Sequence, residues 1–225
     1  MWEPLSKLWF YRMKKKLALI GSQGFAQQVV EYSNKTGLYE IIGYYDDFEL
    51  KDSLKNGYPV LGKVDNITED YNEGIFEYAF ICMGYKHFDV KEKFYNKIKG
   101  IIPLATIIEP GADIAESATI GEGCLITKES VIHEHCVIED DVVMLGGLLA
   151  HDNHIGKHTY IAGGVHFAGR VSIGEKCFIG IRTLIADHLN ICDNVWLTLG
   201  CIVAEDIVSP GKYMSPAQRL IRFPK

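Results

Sequence analysis

The sequence predicts a two-part chain: a small parallel α/β sheet followed by an all-β triangular solenoid. Two patterns and one bound carry this. From Leu17 to about Lys99 apolar strand-like runs alternate with amphipathic helical ones, which implies a parallel sheet with right-handed crossovers. From Ile108 onward that alternation gives way to a six-residue apolar period. A length of 225 residues with 48% apolar content is enough to bury a sizeable core in one large or two small domains.

The first strand is Leu17-Ala-Leu-Ile20, and it ends in the glycine turn Gly21-Ser22-Gln23-Gly24. An amphipathic helix over Phe25 to Asn34 follows, and then a strand over Ile41 to Tyr45 that ends in Asp46-Asp47. A polar stretch and a turn at Gly57 to Gly62 lead to a third strand, Tyr78 to Cys82, and a helical segment from Asp89 to Lys99. A parallel sheet of this kind binds its ligand at the carboxyl ends of its strands. The glycine turn at a helix N-terminus suits a diphosphate, and the Asp pair about twenty residues further on suits a ribose or base. An ordinary tight turn whose Asp pair opens the next loop is the alternative reading.

Counting in sixes gives lead residues Ile108, Ile114, Ile120, Ile126, Ile132, Ile138 and Met144, then after one five-residue step Leu149, Ile155, Ile161, Phe167, Ile173, Ile179, Ile185, Ile191, Leu197 and Val203. All are apolar. At 48% apolar content, such a run arises by chance roughly a few times in a million. The fourth residue after a lead is usually small, as at Ala112, Cys124, Ser130, Cys136, Thr159, Cys177 and Cys201. Large leads with small partners fit a narrow prism, in which the lead fills the interior and the small residue fits the corner. Three hexads make one coil, so each residue stacks on the one three hexads away at about 4.8 Å. Sides and ends of such a solenoid need covering, which predicts association with further copies.

The hexad array from Ile108 to Val203, together with the glycine turn and Tyr45-Asp46-Asp47-Phe48, resembles the hexapeptide-repeat bacterial sugar acyltransferases. These include sialic acid O-acetyltransferases and N-acetyltransferases of nucleotide-linked 4-amino sugars. The resemblance implies a Rossmann-like nucleotide-sugar domain over residues 15–104 and a left-handed parallel β-helix over 105–206. An N-terminal extension over 1–14 and a C-terminal cap over 207–225 complete the expected organisation. It further implies acetyl-CoA as acyl donor, no metal, and a homotrimer with CoA sites between subunits.

The family's catalytic histidine–carboxylate pair falls on His151-Asp152, within Leu149-Ala-His151-Asp152-Asn-His-Ile-Gly156. Its acyl-CoA-contacting turns match Phe167-Ala168-Gly169 and Cys177-Phe-Ile-Gly180, which with Ile181, Thr198, Lys212 and Arg219 form the expected cofactor-binding set. The expected substrate-binding set is Gly21, Ser22, Gln23, Gly24, Phe25, Asp46, Asp47 and Gly84. Against the family pattern, Gly24-Phe25-Ala26 stands where relatives often have Gly-His-Gly, Tyr160 replaces a second histidine, and Thr198 and Ser215 replace glycines.

Transfer of an acyl group to an amine or hydroxyl needs a base near neutrality and a donor for the oxyanion. His151 suits the first role, with Asp152 orienting it. The stacking rule, independently of the family, puts Gly169 on the coil next to His151 as the oxyanion donor. The same rule puts Asp152 between His135 and Arg170, so a structural ion pair with Arg170 is an alternative role for it. His133 and His135 are alternative bases, and the run of histidines from His133 to His166 admits a metal cluster as a further alternative.

Composition excludes several classes. Acidic residues outnumber basic ones by 29 to 23 for a net charge of −6, against a nucleic-acid partner. No apolar run is long enough for membrane insertion. The N-terminus does not read as a signal peptide, which places the protein in the cytoplasm. The six cysteines contain no CxxC pair, and four of them occupy the fourth hexad position. An acetyl-CoA-dependent N-acetyltransferase acting on a nucleotide-linked amino sugar in bacterial glycan or lipopolysaccharide synthesis is the expected function. Its alternatives are an O-acetyltransferase of a sialic-acid-like sugar and a non-catalytic hexapeptide-repeat scaffold.

Overall fold

The computed structural model describes residues 14–215. Strands β1 (Lys15–Ile20), β2 (Tyr39–Tyr45), β3 (Leu54–Lys55), β4 (Tyr58–Gly62) and β5 (Tyr78–Ile81) form one sheet in the order β3-β4-β2-β1-β5. All pairings are parallel except β3 with β4, which is an antiparallel hairpin. The stretch from Gly57 to Gly62, expected as a turn, is therefore largely a strand: β4 pairs with β2 through Tyr44 and Val60. Its Pro59 hid it, since a proline within a run lowers strand propensity.

Helices α1 (Gly24–Thr36) and α3 (Phe88–Ile98) flank the sheet, and a short α2 (Ile67–Asn72) precedes β5. α1 buries Ala26, Val29, Val30 and Ser33. That spacing is the 3.6-residue period of an amphipathic helix, and Gly37 stops it in the left-handed conformation with φ 67°. The strand order reverses between β1 and β5, so the loops at their carboxyl ends diverge and leave a crevice there.

The second part is a left-handed parallel β-helix of three sheets with seven, six and five strands. On the first face Ile108, Ile126, Met144, Ile161, Ile179 and Leu197 stack in register. The second face stacks Ile114, Ile132, Leu149, Phe167, Ile185 and Val203. The third stacks Ile120, Ile138, Ile155, Ile173 and Ile191. The register holds across the five-residue step, with Ile132 opposite Leu149.

Leads and fourth-position residues point inward together, and Cys124, Cys136, Val142, Val165 and Cys177 are fully or almost fully buried with them. Each buried aliphatic lead contributes about 1.5–3 kcal/mol. The residue before each small partner turns the corner with positive φ: His135 at 57°, Asp141 at 61°, Asp152 at 59°, His158 at 61° and Asn194 at 59°. Asp, Asn and His accept this conformation more readily than most residues, which accounts for part of the histidine enrichment.

The two parts share a core. The outward residues of the first face, Val143, Tyr160 and Phe178, pack against Ala26, Val29, Phe25 and Tyr85. Tyr160, Phe178 and Trp196 stack as successive rungs, and the Tyr85 ring lies 4.4 Å from that of Phe178 and 5.4 Å from that of Trp196.

Polar contacts fix α3 on the same side. The Lys91 ammonium lies 3.0 Å from Asp141 Oδ1, and His158 Nδ1 lies 2.7 Å from Asp141 Oδ2, with all three side chains at most 3% exposed. A buried ion group of this kind fixes orientation more than it adds stability.

Candidate active site

A cavity of about 790 Å³ opens at the carboxyl ends of β1, β2 and β5. Gly21, Gln23, Gly24, Phe25, Asp46, Asp47 and Gly84 line it, together with Phe48, Tyr85, Lys86, His87 and the α3 residues Val90 and Phe94. Every residue of the expected substrate set is on this wall except Ser22, which is buried behind it.

Ser22 explains what Asp46 does. Its backbone N–H and hydroxyl both donate to Asp46 Oδ2, at 2.9 and 2.7 Å, while the Phe48 N–H donates to Oδ1 at 2.9 Å. The buried Asp46 carboxylate thus ties the glycine turn to the end of β2. Asp47 is exposed on the cavity wall and accepts from the Val64 N–H through Oδ1 at 2.9 Å. The N-terminus of α1 lies at the cavity edge with no acidic residue in its first turn, a setting that favours a phosphate.

The second set of chemistry-bearing residues lies on the corner after the second face. His151 Nδ1 is 2.8 Å from Asp152 Oδ2. With that nitrogen donating, Nε2 is the acceptor. The hydrogen bond from His151 holds the Asp152 carboxyl below the usual carboxylate range, helped by the charges of His151, His135 and Arg170.

Gly169 sits on the next coil against this ring: a Cβ there would lie 2.7 Å from both Cε1 and Nε2 of His151. Any larger residue would displace the imidazole. Among the described residues no carbonyl accepts the Gly169 N–H, so a backbone donor without a carbonyl partner belongs to the residue that the His151 ring packs against.

Asp152 also faces His135 Nδ1 at 3.5 Å and Arg170 Nε at 3.6 Å. The ion pair with Arg170 and the bond to His151 therefore coexist, and the His151 contact is the shorter. The remaining histidines disperse. His154 bonds Glu139 at 3.0 Å, His158 bonds Asp141, and His166 projects from the second face. Among the described residues no group of three or more His, Cys, Asp or Glu is placed to hold a metal ion.

The expected acyl-donor residues do not converge within one chain. Ala168 and Gly169 share the corner of His151, whereas Gly180, Ile181 and Thr198 lie on the corner between the first and second faces. A Cβ on Gly180 would fall 2.5 Å from the Thr198 carbonyl carbon, so close coil stacking alone requires glycine there. Lys212 pairs with Trp196 on the first face and lies 6.0 Å over its ring. Arg219 falls outside the described residues, as does residue 1–13 of the extension.

Between the two corners the second face presents Leu184, Ile202 and, at its edge, Ile181 and Leu199, at 44%, 75%, 52% and 73% exposure. His151 is not among the residues lining the cavity of the α/β domain.

The PglD N-terminal domain family matches residues 16–98. Among solved structures, the acetyltransferase domain of PglB from Neisseria gonorrhoeae in complex with acetyl coenzyme A is 25% identical, with a TM-score of 0.80 over 92% of this chain and 100% of that one. Over nearly its whole length the chain is similar to this acetyltransferase domain. PerB from Caulobacter crescentus, solved with CoA and GDP-perosamine, shares its fold at 22% identity, with a TM-score of 0.80 over 89% of this chain and 94% of that one. UDP-3-O-acylglucosamine N-acyltransferase of Bordetella avium is 38% identical over 66 residues, a segment that makes up 29% of this chain. That match spans only 18% of the relative's length. Among the described residues no helix is long and apolar enough to cross a membrane.

Family motifs do not point to Asn153. It takes a fourth hexad position, where small residues are usual, and is 1% exposed. Its Nδ2 donates to the Ala150 carbonyl at 2.7 Å and its Oδ1 accepts from the Val171 N–H at 2.7 Å, clamping the backbone on both sides of the His151–Asp152–Arg170 cluster. The sequence signal was available, since no other fourth position carries a carboxamide.

Proposed function

We propose that the protein is an acetyl-CoA-dependent N-acetyltransferase acting on the amine of a nucleotide-linked amino sugar, within bacterial glycan or lipopolysaccharide synthesis in the cytoplasm. The observation that carries this reading is the His151 ring held by Asp152 through Nδ1, with its Nε2 edge packed against Gly169. His151 Nε2 takes the proton that the acceptor amine loses as its nitrogen bonds to the thioester carbon, and returns it to the departing thiolate. Asp152 stabilises the transient imidazolium. The Gly169 N–H donates to the oxygen that becomes negative in the tetrahedral intermediate.

The cavity at the β1–β5 switch point would hold the nucleotide, with the N-terminus of α1 at the diphosphate and Asp47 at the base or ribose. Because this cavity and His151 are separate on one chain, the reading is that a homotrimer brings them together. The apolar second face would be the contact, with CoA lying between subunits against Ala168 and Gly169 of one copy and Gly180, Ile181 and Thr198 of the next. That PerB was solved with GDP-perosamine supports a nucleotide-linked amino sugar as acceptor.

The test is steady-state release of CoA from acetyl-CoA with UDP-, dTDP- and GDP-linked 4-amino sugars and with a sialic-acid-like sugar. Turnover with one amino sugar is expected. Turnover with the hydroxyl acceptor alone would replace N- by O-acetylation, and neither turnover nor CoA binding would leave only a scaffold.

A further inference from the structure

We infer that Arg170 is a positioning residue for the His151–Asp152 pair: its guanidinium shares the carboxylate oxygen that His151 bonds, and so tempers the field that this carboxylate exerts on the ring. The inference rests on the reading of His151 as general base. Asp152 Oδ2 receives His151 Nδ1 at 2.8 Å and faces Arg170 Nε at 3.6 Å. The other end of the guanidinium is also held, with Nη1 3.3 Å from His188 Nε2. His188 Nδ1 in turn lies 2.9 Å from Asp187 Oδ2, which makes Nε2 of His188 the acceptor for the Arg170 N–H. A chain of contacts therefore runs from Asp187 through His188, Arg170 and Asp152 to His151, descending three coils of one corner.

The backbone supports the same placement. The Arg170 N–H donates to the His151 carbonyl at 3.0 Å, and Arg170 adopts φ 59°, a conformation that carries a small energetic cost for a long side chain. The charged groups around the pair are Glu134 and His135 on the preceding coil and Arg170, Asp187 and His188 on the following ones. Arg170 is the permanent cation among them.

A carboxylate facing only the imidazole would stabilise its protonated form and delay the base to higher pH. A guanidinium on the same oxygen offsets part of that field. Arg170 and Asp152 are roughly half exposed, so the effect is moderate and weakens with salt.

Arg170→Gln, Arg170→Lys and His151→Ala would be compared by pH–rate profile at low and high salt and by NMR titration of the His151 ring, assigned through its loss in His151→Ala. Arg170→Gln should move the acid limb of the profile and the ring's titration midpoint upward together, by roughly half a pH unit at low salt and less at high salt. Arg170→Lys should restore most of the wild-type position. An unmoved midpoint in Arg170→Gln overturns the inference even if turnover falls, because a purely structural Arg170 would lower activity without shifting the titration. Full turnover by His151→Ala would overturn the base reading itself, while the NMR midpoints would still decide whether Arg170 controls the ring.

Discussion

The imidazole of His151 lies where a side chain on Gly169 would otherwise be, with Cε1 and Nε2 both 2.7 Å from that missing Cβ. Gly169→Ala is expected to swing the ring off its bond to Asp152, because the ring is half exposed and free to move outward. Turnover should fall by about 10- to 100-fold with little change in melting temperature, a KM-against-kcat split that steady-state kinetics and calorimetry would resolve. Gly180→Ala makes the contrast. There the added methyl would meet backbone at 2.5 Å, so the expected result is a loss of about 1–3 kcal/mol in denaturant unfolding.

His151→Ala should lower turnover by about 10²- to 10⁴-fold with an unchanged circular dichroism spectrum. Asp152→Asn keeps a carbonyl for the Nδ1–H but removes the charge that favours imidazolium. Its acid limb should therefore move to lower pH, opposite in sign to Arg170→Gln, as kcat drops.

Asp46 and Asp47 are neighbours with separable jobs. Asp46→Asn leaves one oxygen to replace the two that close the turn, and should cost about 1–3 kcal/mol of stability along with nucleotide affinity. Asp47→Ala should weaken nucleotide binding, read by calorimetric titration with UDP, dTDP and GDP, while the unfolding midpoint stays close to wild type.

Removal of the Lys91 ammonium strands Asp141 against His158 in a site at most 3% exposed. Lys91→Met should destabilise by about 3–5 kcal/mol. Because Val90 and Phe94 on the same helix line the cavity, nucleotide affinity should fall too.

Thiol reactivity provides a check on the solenoid interior. Burial pushes the Cys177 thiol up to about 11 and the Cys124 thiol up to about 12, so neither presents thiolate at neutral pH. In the native protein an aromatic disulfide reagent should react at Cys192, the one half-buried cysteine, and reach the other five only on unfolding.

The solenoid was legible because its interior admits one residue size at each lead, and a steric demand repeated every coil leaves a periodic trace. Stacking then followed from counting, which is how His151, Gly169, Asp152 and Arg170 were already neighbours on paper. The α/β domain was less readable. β4 contains a proline and is only five residues long, and the role of Ser22 against Asp46 depends on two loops meeting after the sheet has formed. The Lys91–Asp141–His158 group was invisible for the same reason: its members come from a helix and two coils, and no local period relates a helix face to a solenoid corner. Asn153 was visible as an exception to the small-residue rule, but its meaning came only with its two backbone bonds.

The five-residue step between Met144 and Leu149 has a consequence for how the chain tolerates change. Ile126 pairs with Met144 on one face and Ile132 with Leu149 on the next, so the shortfall is absorbed wholly in the bend between them, where Gly146 has φ 87°. Stacking resets the reading frame at every strand, and a one-residue indel at a bend is quarantined there. A bend one residue short thus still presents His151 to the same glycine.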